Sequence, residues 1–425
     1  MDFRIFFTLA IFCFTVACTN QKDSQGELVT AYTGARLIDG TGHNPIDGAV
    51  LLISNGSIIA AGPRTAIAIP KNASIIDLTG KTIIPGIINA HGHIGGTKGL
   101  TSSYSAQNVI RDLELNAAYG ITTVYSLGGD EPASVAIRNE QDSINLDRSR
   151  FYVAGEVITG NTPEAARSQV DKNAALGVDF IKIKVDDNLG TTEKMSPLIY
   201  EAAIDQARKH NLDVVVHTFY LEDVKALLRL GVKFIGHSVR DQVVDEELIA
   251  MMKENKATYC PTLMREISTF VYESTPYFFQ DSFFLAHADT SILNQLKSPD
   301  WQTKVRKNKS TQQYKEALVI AKKNLKLLSD AGVKIAMGTD TGPPTRFQGY
   351  FEHLELEQMV NAGLTPMQVI VAATGNAVYP KNKNNLGTLE SGKKADFIVL
   401  SKDPLSDIRN TRSIESVWIG GNKIE

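Results

Sequence analysis

The chain has 425 residues, of which 43% are hydrophobic and 21% charged, with a formal net charge of -3. That length and composition suit one large α/β barrel plus a smaller domain, with a sizeable core. Charges of both signs are interspersed, and no basic run or aromatic-basic stripe occurs, which argues against a nucleic-acid partner.

At the start, Arg4 precedes the apolar run IFFTLAIFCFTVA, which ends at Ala17 and Cys18 and gives way to polar TNQKDSQG. An apolar stretch this short does not span a bilayer as a helix, so residues 1–18 read as an export signal. Small residues just before Cys18 resemble the bacterial lipoprotein cleavage box, although Thr15 stands where that pattern usually has Leu. Cys18 is therefore the expected lipidation site and residues 19–27 a tether, which places the protein on the cell-envelope membrane. Ordinary signal cleavage nearby is the alternative. Cys260 is then the only cysteine of the folded body, so no intrachain disulfide is expected; within ATYCPTL it reads as a buried, inert thiol.

Residues 28–82 read as short strands and turns, with Asn55-Gly56 as a hairpin signal. Residues 385–425 have the same texture, and the two ends together predict a small composite β-sandwich domain. Between them, over 83–384, apolar β-branched runs alternate with helix-length amphipathic segments such as SPLIYEAAIDQARKH and LEDVKALLRLG. Counting the run before His91 gives eight βα units, the number a (β/α)8 TIM barrel requires. The aromatic-rich segment 265–308 interrupts this rhythm; it predicts either a lid over the catalytic face or a packed helical excursion.

In such a barrel the reacting groups sit where strands end. The first run ends in His91 and His93, and two histidines one residue apart on a strand point to the same side, where both can hold one metal ion. The fourth run carries Lys182, the fifth ends in His217, the sixth in His237 and the eighth in Asp340. Five of these six residue types ligate zinc unmodified. A neutral Lys182 can react with carbon dioxide to give a carbamate whose oxygens could bridge two cations, although Lys184 lies on the same face by alternation.

Taken with GARLIDGTG, PGIINAHGH, GVDFIKIK, VVVHTF, FIGHS, MGTDTG, EHLELEQMVNAGLTPMQVIVAATGNAV and LGTLESGKKADFIVLSKDPLSDIR, the chain resembles the amidohydrolase superfamily, in its imidazolonepropionase-like and Xaa-Pro dipeptidase-like branch. The resemblance implies two divalent metal ions, most readily zinc. His91, His93 and Asp340 would hold the more buried ion, carboxylated Lys182 would bridge, and His217 and His237 would hold the second. It also implies hydrolysis of C–N bonds in small amide or peptide-like substrates such as N-acyl amino acids or dipeptides, with Asp340 moving the proton. The family usually has Asp two residues before the first histidine; this chain has Asn89, which bears on metal affinity more than on ligation.

Past the strand ends, Arg240 is a candidate partner for a substrate carboxylate, Tyr220 for a developing oxyanion, and His353 either for substrate or for bracing the loop after the eighth strand. His43, His210 and His287 read as surface or structural. A mononuclear deaminase or cyclic-amide hydrolase using His91, His93, His217 and Asp340, with His237 catalytic, is the alternative enzyme; a non-catalytic surface lipoprotein is the third reading. A homo-oligomer is compatible with all three.

Overall fold

The computed structural model describes residues 28–142, 145–380 and 385–424. Cys18, the signal and the tether lie outside the described residues. No described helix is long and apolar enough to cross a membrane.

Both chain ends meet in one eight-stranded sheet. Val29–Leu37 pairs antiparallel with Ile46–Ser54 and parallel with Ser74–Asp77 and Thr82–Pro85, and Phe397–Leu400 joins the far edge of Thr82–Pro85. Asn55 and Gly56 both take positive φ, 48° and 72°, which gives the hairpin turn its twist and matches their sequence signal. Tyr32, Phe397 and Trp418 pack ring against ring across the two ends, with centroids 5.1–5.5 Å apart, so neither end is complete alone. The second sheet that a sandwich requires is not among the described ladders, and Thr82–Pro85 carries this sheet three residues past position 82.

Eight parallel strands follow, which we number β1 (Ile87–Gly92), β2 (Ile121–Ser126), β3 (Arg150–Val153), β4 (Phe180–Val185), β5 (Asp213–Thr218), β6 (Phe234–Gly236), β7 (Thr258–Cys260) and β8 (Lys334–Ile335). They form a three-stranded ladder, β1 to β3, and a five-stranded one, β4 to β8. Isolated parallel bridges, Ile158 with Ile183 and Gly92 with Thr341, sit at the two seams. Helices including Ala106–Ala118, Pro197–Lys209, Leu221–Arg229 and Ser310–Asp330 alternate with the strands, giving a TIM-barrel-like α/β fold. β1 and β2 are buried at every position, which is why their sequences are continuous apolar runs and not alternating ones.

The aromatic segment after β7 folds as short helices packed on the helix Tyr350–Asn361. Phe278 and Phe284 are almost fully buried against Tyr350, and the Tyr119 hydroxyl donates to the main-chain oxygen of Phe284. This segment has its own small core.

Candidate metal centre

The C-terminal ends of β1, β4, β5, β6 and the loop after β8 converge on one buried cluster. One nitrogen each from His91 and His93 and a carboxylate oxygen of Asp340 lie within 4.8 Å of one another. His93 Nε2 is 2.9 Å and His91 Nε2 3.5 Å from Asp340 Oδ1. Lys182 Nζ stands 3.1 Å from His91 Nε2, whereas Lys184 is half-buried and donates to Asn188, so depth separates the two lysines that alternation could not. The His237 ring lies 4.4 Å from that of His91 and 4.0 Å from that of His217. All six predicted residues are thus in one place.

Close approach of the strand ends depends on glycine. A Cβ on Gly338 would stand 2.8 Å from Cβ of His91, and one on Gly342, whose φ is 111°, would stand 2.0 Å from the carbonyl oxygen of His93. Three non-glycine residues at these ends also take positive φ: His237 (69°), Thr262 (50°) and Asp340 (60°). Such conformations cost about 1–2 kcal/mol each and are held by the surrounding barrel.

Each ring has a defined orientation. His93 Nδ1 donates to the Gly128 carbonyl, which cannot donate back, so in the neutral ring Nε2 carries the lone pair toward Asp340. His217 Nε2 meets Asp186 Oδ2 at 2.6 Å, which leaves Nδ1 as its lone-pair nitrogen. His237 Nδ1 pairs with the Thr262 hydroxyl at 2.7 Å, leaving Nε2 available. Burial pushes His91 and His237 well below the ordinary imidazole range and His217 down to about 3, so all three are neutral, as metal ligation requires. Burial opposes ionisation of Asp340, yet Arg346 and the two histidines hold its carboxyl well below the usual range. Burial likewise lowers Lys182 to about 8, within reach of the neutral amine. The donor set fits divalent cations, because anionic and neutral donors face inward while their other atoms are already satisfied.

The amidohydrolase family model matches residues 82–424. The chain belongs to the amidohydrolase family. Over 293 residues it is 27% identical to the ochratoxinase of Aspergillus niger, an alignment that covers 64% of this chain and 52% of that one. The match therefore spans about half the length of that curated relative. It is also 22% identical over 382 residues to the imidazolonepropionase of Geobacillus kaustophilus, covering 84% of each chain. The crystal structure of a candidate prolidase from Bifidobacterium longum is similar with a TM-score of 0.74 and 26% identity, covering 93% of this chain and 94% of that one.

Within this amidohydrolase, the three outlying residues lie apart from the cluster or are closed off. Arg240 is 1% exposed; Nη1 donates to the carbonyls of Thr218 and Ser238, Nε pairs with Glu266 at 2.9 Å, and the guanidinium covers the Phe219 ring. His353 is also buried, with Nε2 on the Tyr119 carbonyl and Nδ1 on the Thr411 hydroxyl, so both ring nitrogens are engaged far from any ligand atom. The Tyr220 hydroxyl donates to Asp187 Oδ1 at 2.7 Å beneath Lys194. Cys260 is fully buried below Gly338, and burial pushes its thiol up, as an inert core cysteine requires.

Sequence reasoning missed the residues that orient the cluster. Asp186, one position beyond β4, was legible only as a carboxylate near a strand end. Glu352 accepts from Asn89, Thr339 and Thr341, tying β1 to the loop after β8. Arg346, six residues past Asp340, donates to the Asp340 carbonyl at 3.1 Å and pairs with its Oδ2.

Proposed function

We propose that this protein is a metal-dependent hydrolase of C–N bonds, acting on amide or peptide-like substrates such as N-acyl amino acids or dipeptides. The observation that carries the reading is the convergence of His91, His93 and Asp340 within 4.8 Å, with Lys182 and the rings of His217 and His237 beside them. The names of the ochratoxinase and the candidate prolidase agree with it.

In this reading His91, His93 and Asp340 hold one cation, His217 and His237 a second, and carboxylated Lys182 bridges them. Bound cations supply Lewis acidity, which acidifies water and polarises an amide carbonyl. Asp340 accepts the proton of the attacking water and delivers it to the departing amine. Its low pKa suits the first transfer, and its position between the histidines and Arg346 keeps the carboxylate aimed inward. Asp186 and Thr262 fix the ring orientations of His217 and His237, and His353 braces the helix that follows β8.

Metal stoichiometry and hydrolysis together test this. Near two metals per chain, with release of amine from N-acyl amino acids or dipeptides, is expected. One metal, indifferent to replacement of Lys182, would sink the bridged site and point to mononuclear deamination or ring opening. We further propose lipid anchoring through Cys18; a Cys18→Ala variant that stays in the membrane fraction at wild-type levels would remove that claim.

A further inference from the structure

We propose that Arg346 and the cavity it lines select the substrate, the guanidinium taking a free carboxylate and the adjoining wall an apolar side chain or acyl group; this rests on the hydrolase reading above. The cavity, of about 330 Å³, lies between the helix Ala106–Ala118, the segment after β7 and the loop after β8. Its wall includes Leu100, Tyr119, Phe284, Ile292 and Phe347, with the Phe284 and Phe347 rings edge to face at 4.9 Å. Such a surface favours aromatic or branched aliphatic groups.

Charge at the mouth is set by Arg346. Arg111, also on the wall, is already paired with Asp112 at 2.6 Å. Arg240 and Arg265 are sealed below the strand ends, at 1% and 7% exposure, whereas the Arg346 side chain is 18% exposed and reaches the cavity. Its Nε donates to the Ser268 hydroxyl at 3.1 Å and its Nη1 to Asp340, so the plane of the fork is held while Nη2 makes none of the described hydrogen bonds. A guanidinium fixed on two sides with one edge open suits a carboxylate, which offers two acceptor oxygens. Because Nη1 touches Asp340, a carboxylate held there stands beside the metal-binding cluster. That is the separation between the α-carboxylate and the amide of an N-acyl amino acid. The structure thus moves carboxylate recognition from Arg240 to Arg346.

The test uses the metal-loaded enzyme with N-acetylphenylalanine and its carboxamide as substrates, and calorimetry with phenylalanine, phenylalaninamide and alanine as ligands. Arg346→Gln should raise KM for the carboxylate substrate about 10- to 100-fold and change that for the carboxamide by less than about threefold. Arg346→Lys should fall between, with metal content at the wild-type level in both. Ile292→Trp, remote from Asp340, should weaken phenylalanine more than alanine, and it decides the matter if the Arg346 variants fold poorly. Equal losses on both substrates, or wild-type enzyme that binds amide and carboxylate alike, would overturn the proposal. Arg346-dependent binding of phenylalanine without hydrolysis of either substrate would instead defeat the hydrolase reading and leave Arg346 in place.

Discussion

Nζ of Lys182 lies 3.1 Å from Nε2 of His91, and both side chains are buried. An ammonium in that position faces desolvation, and burial lowers the lysine to about 8, so the neutral amine that reacts with carbon dioxide is accessible at ordinary pH. Lys182→Ala should therefore reduce metal content from two ions to one and lower hydrolysis on the order of 100-fold or more. Elemental analysis beside an amine-release assay checks this, and full activity with two metals retained would exclude the bridge.

Asp340 is asked both to ligate and to carry a proton. Asp340→Asn keeps the size of the side chain but removes its charge, so kcat should fall roughly 10²- to 10⁴-fold while the circular dichroism spectrum is unchanged. A variant that turns over at half the wild-type rate would show that another group moves the proton.

Asn89 donates to Glu352 Oε1 at 2.6 Å in a fully buried network. Replacing Asn89 by Asp sets two carboxylates against each other where burial already raises the pKa of Glu352. The single variant should lose about 2–4 kcal/mol of stability, and Glu352→Gln in the same chain should restore much of it. Denaturant midpoints of the two single variants and the double one measure the coupling; strict additivity would refute it.

Glu355 gives a pH dependence. Burial raises its pKa to about 8, against the opposing hydrogen bonds from the Met264 and Leu263 amides. The folded carboxyl thus holds its proton more tightly than the unfolded one. Its contribution is fully present below the ordinary glutamate pKa and is lost as pH rises toward 8. Relative to Glu355→Gln, wild-type unfolding free energy should decline by about 3–5 kcal/mol over that window, an upper figure for one group. Parallel pH profiles for the two proteins would contradict it.

His353 has both ring nitrogens bonded inside the fold. His353→Ala should cost about 2–4 kcal/mol of stability, because the Tyr119 carbonyl and Thr411 hydroxyl lose their partner, and leave KM nearly unchanged. A large rise in KM at unaltered stability would return this residue to the substrate.

The sequence alone determined the alternation of eight buried strands with helices, the pairing of both chain ends, and the six residues at the strand ends. Those features follow from local periodicity and from the placement of barrel active sites at strand termini, which topology enforces. Tertiary structure decided which side chains beyond those ends are open. Arg240 and His353 look available in the chain, yet neighbouring elements close over them; Arg346 sits in a turn of glycines and prolines that the sequence marks only as a shaping loop. The partners of Glu352 and Thr262 lie across the barrel, on elements 11 to 263 residues away. No spacing rule reaches that far, because orientation past a strand end is set by what packs against it and not by the residues that precede it.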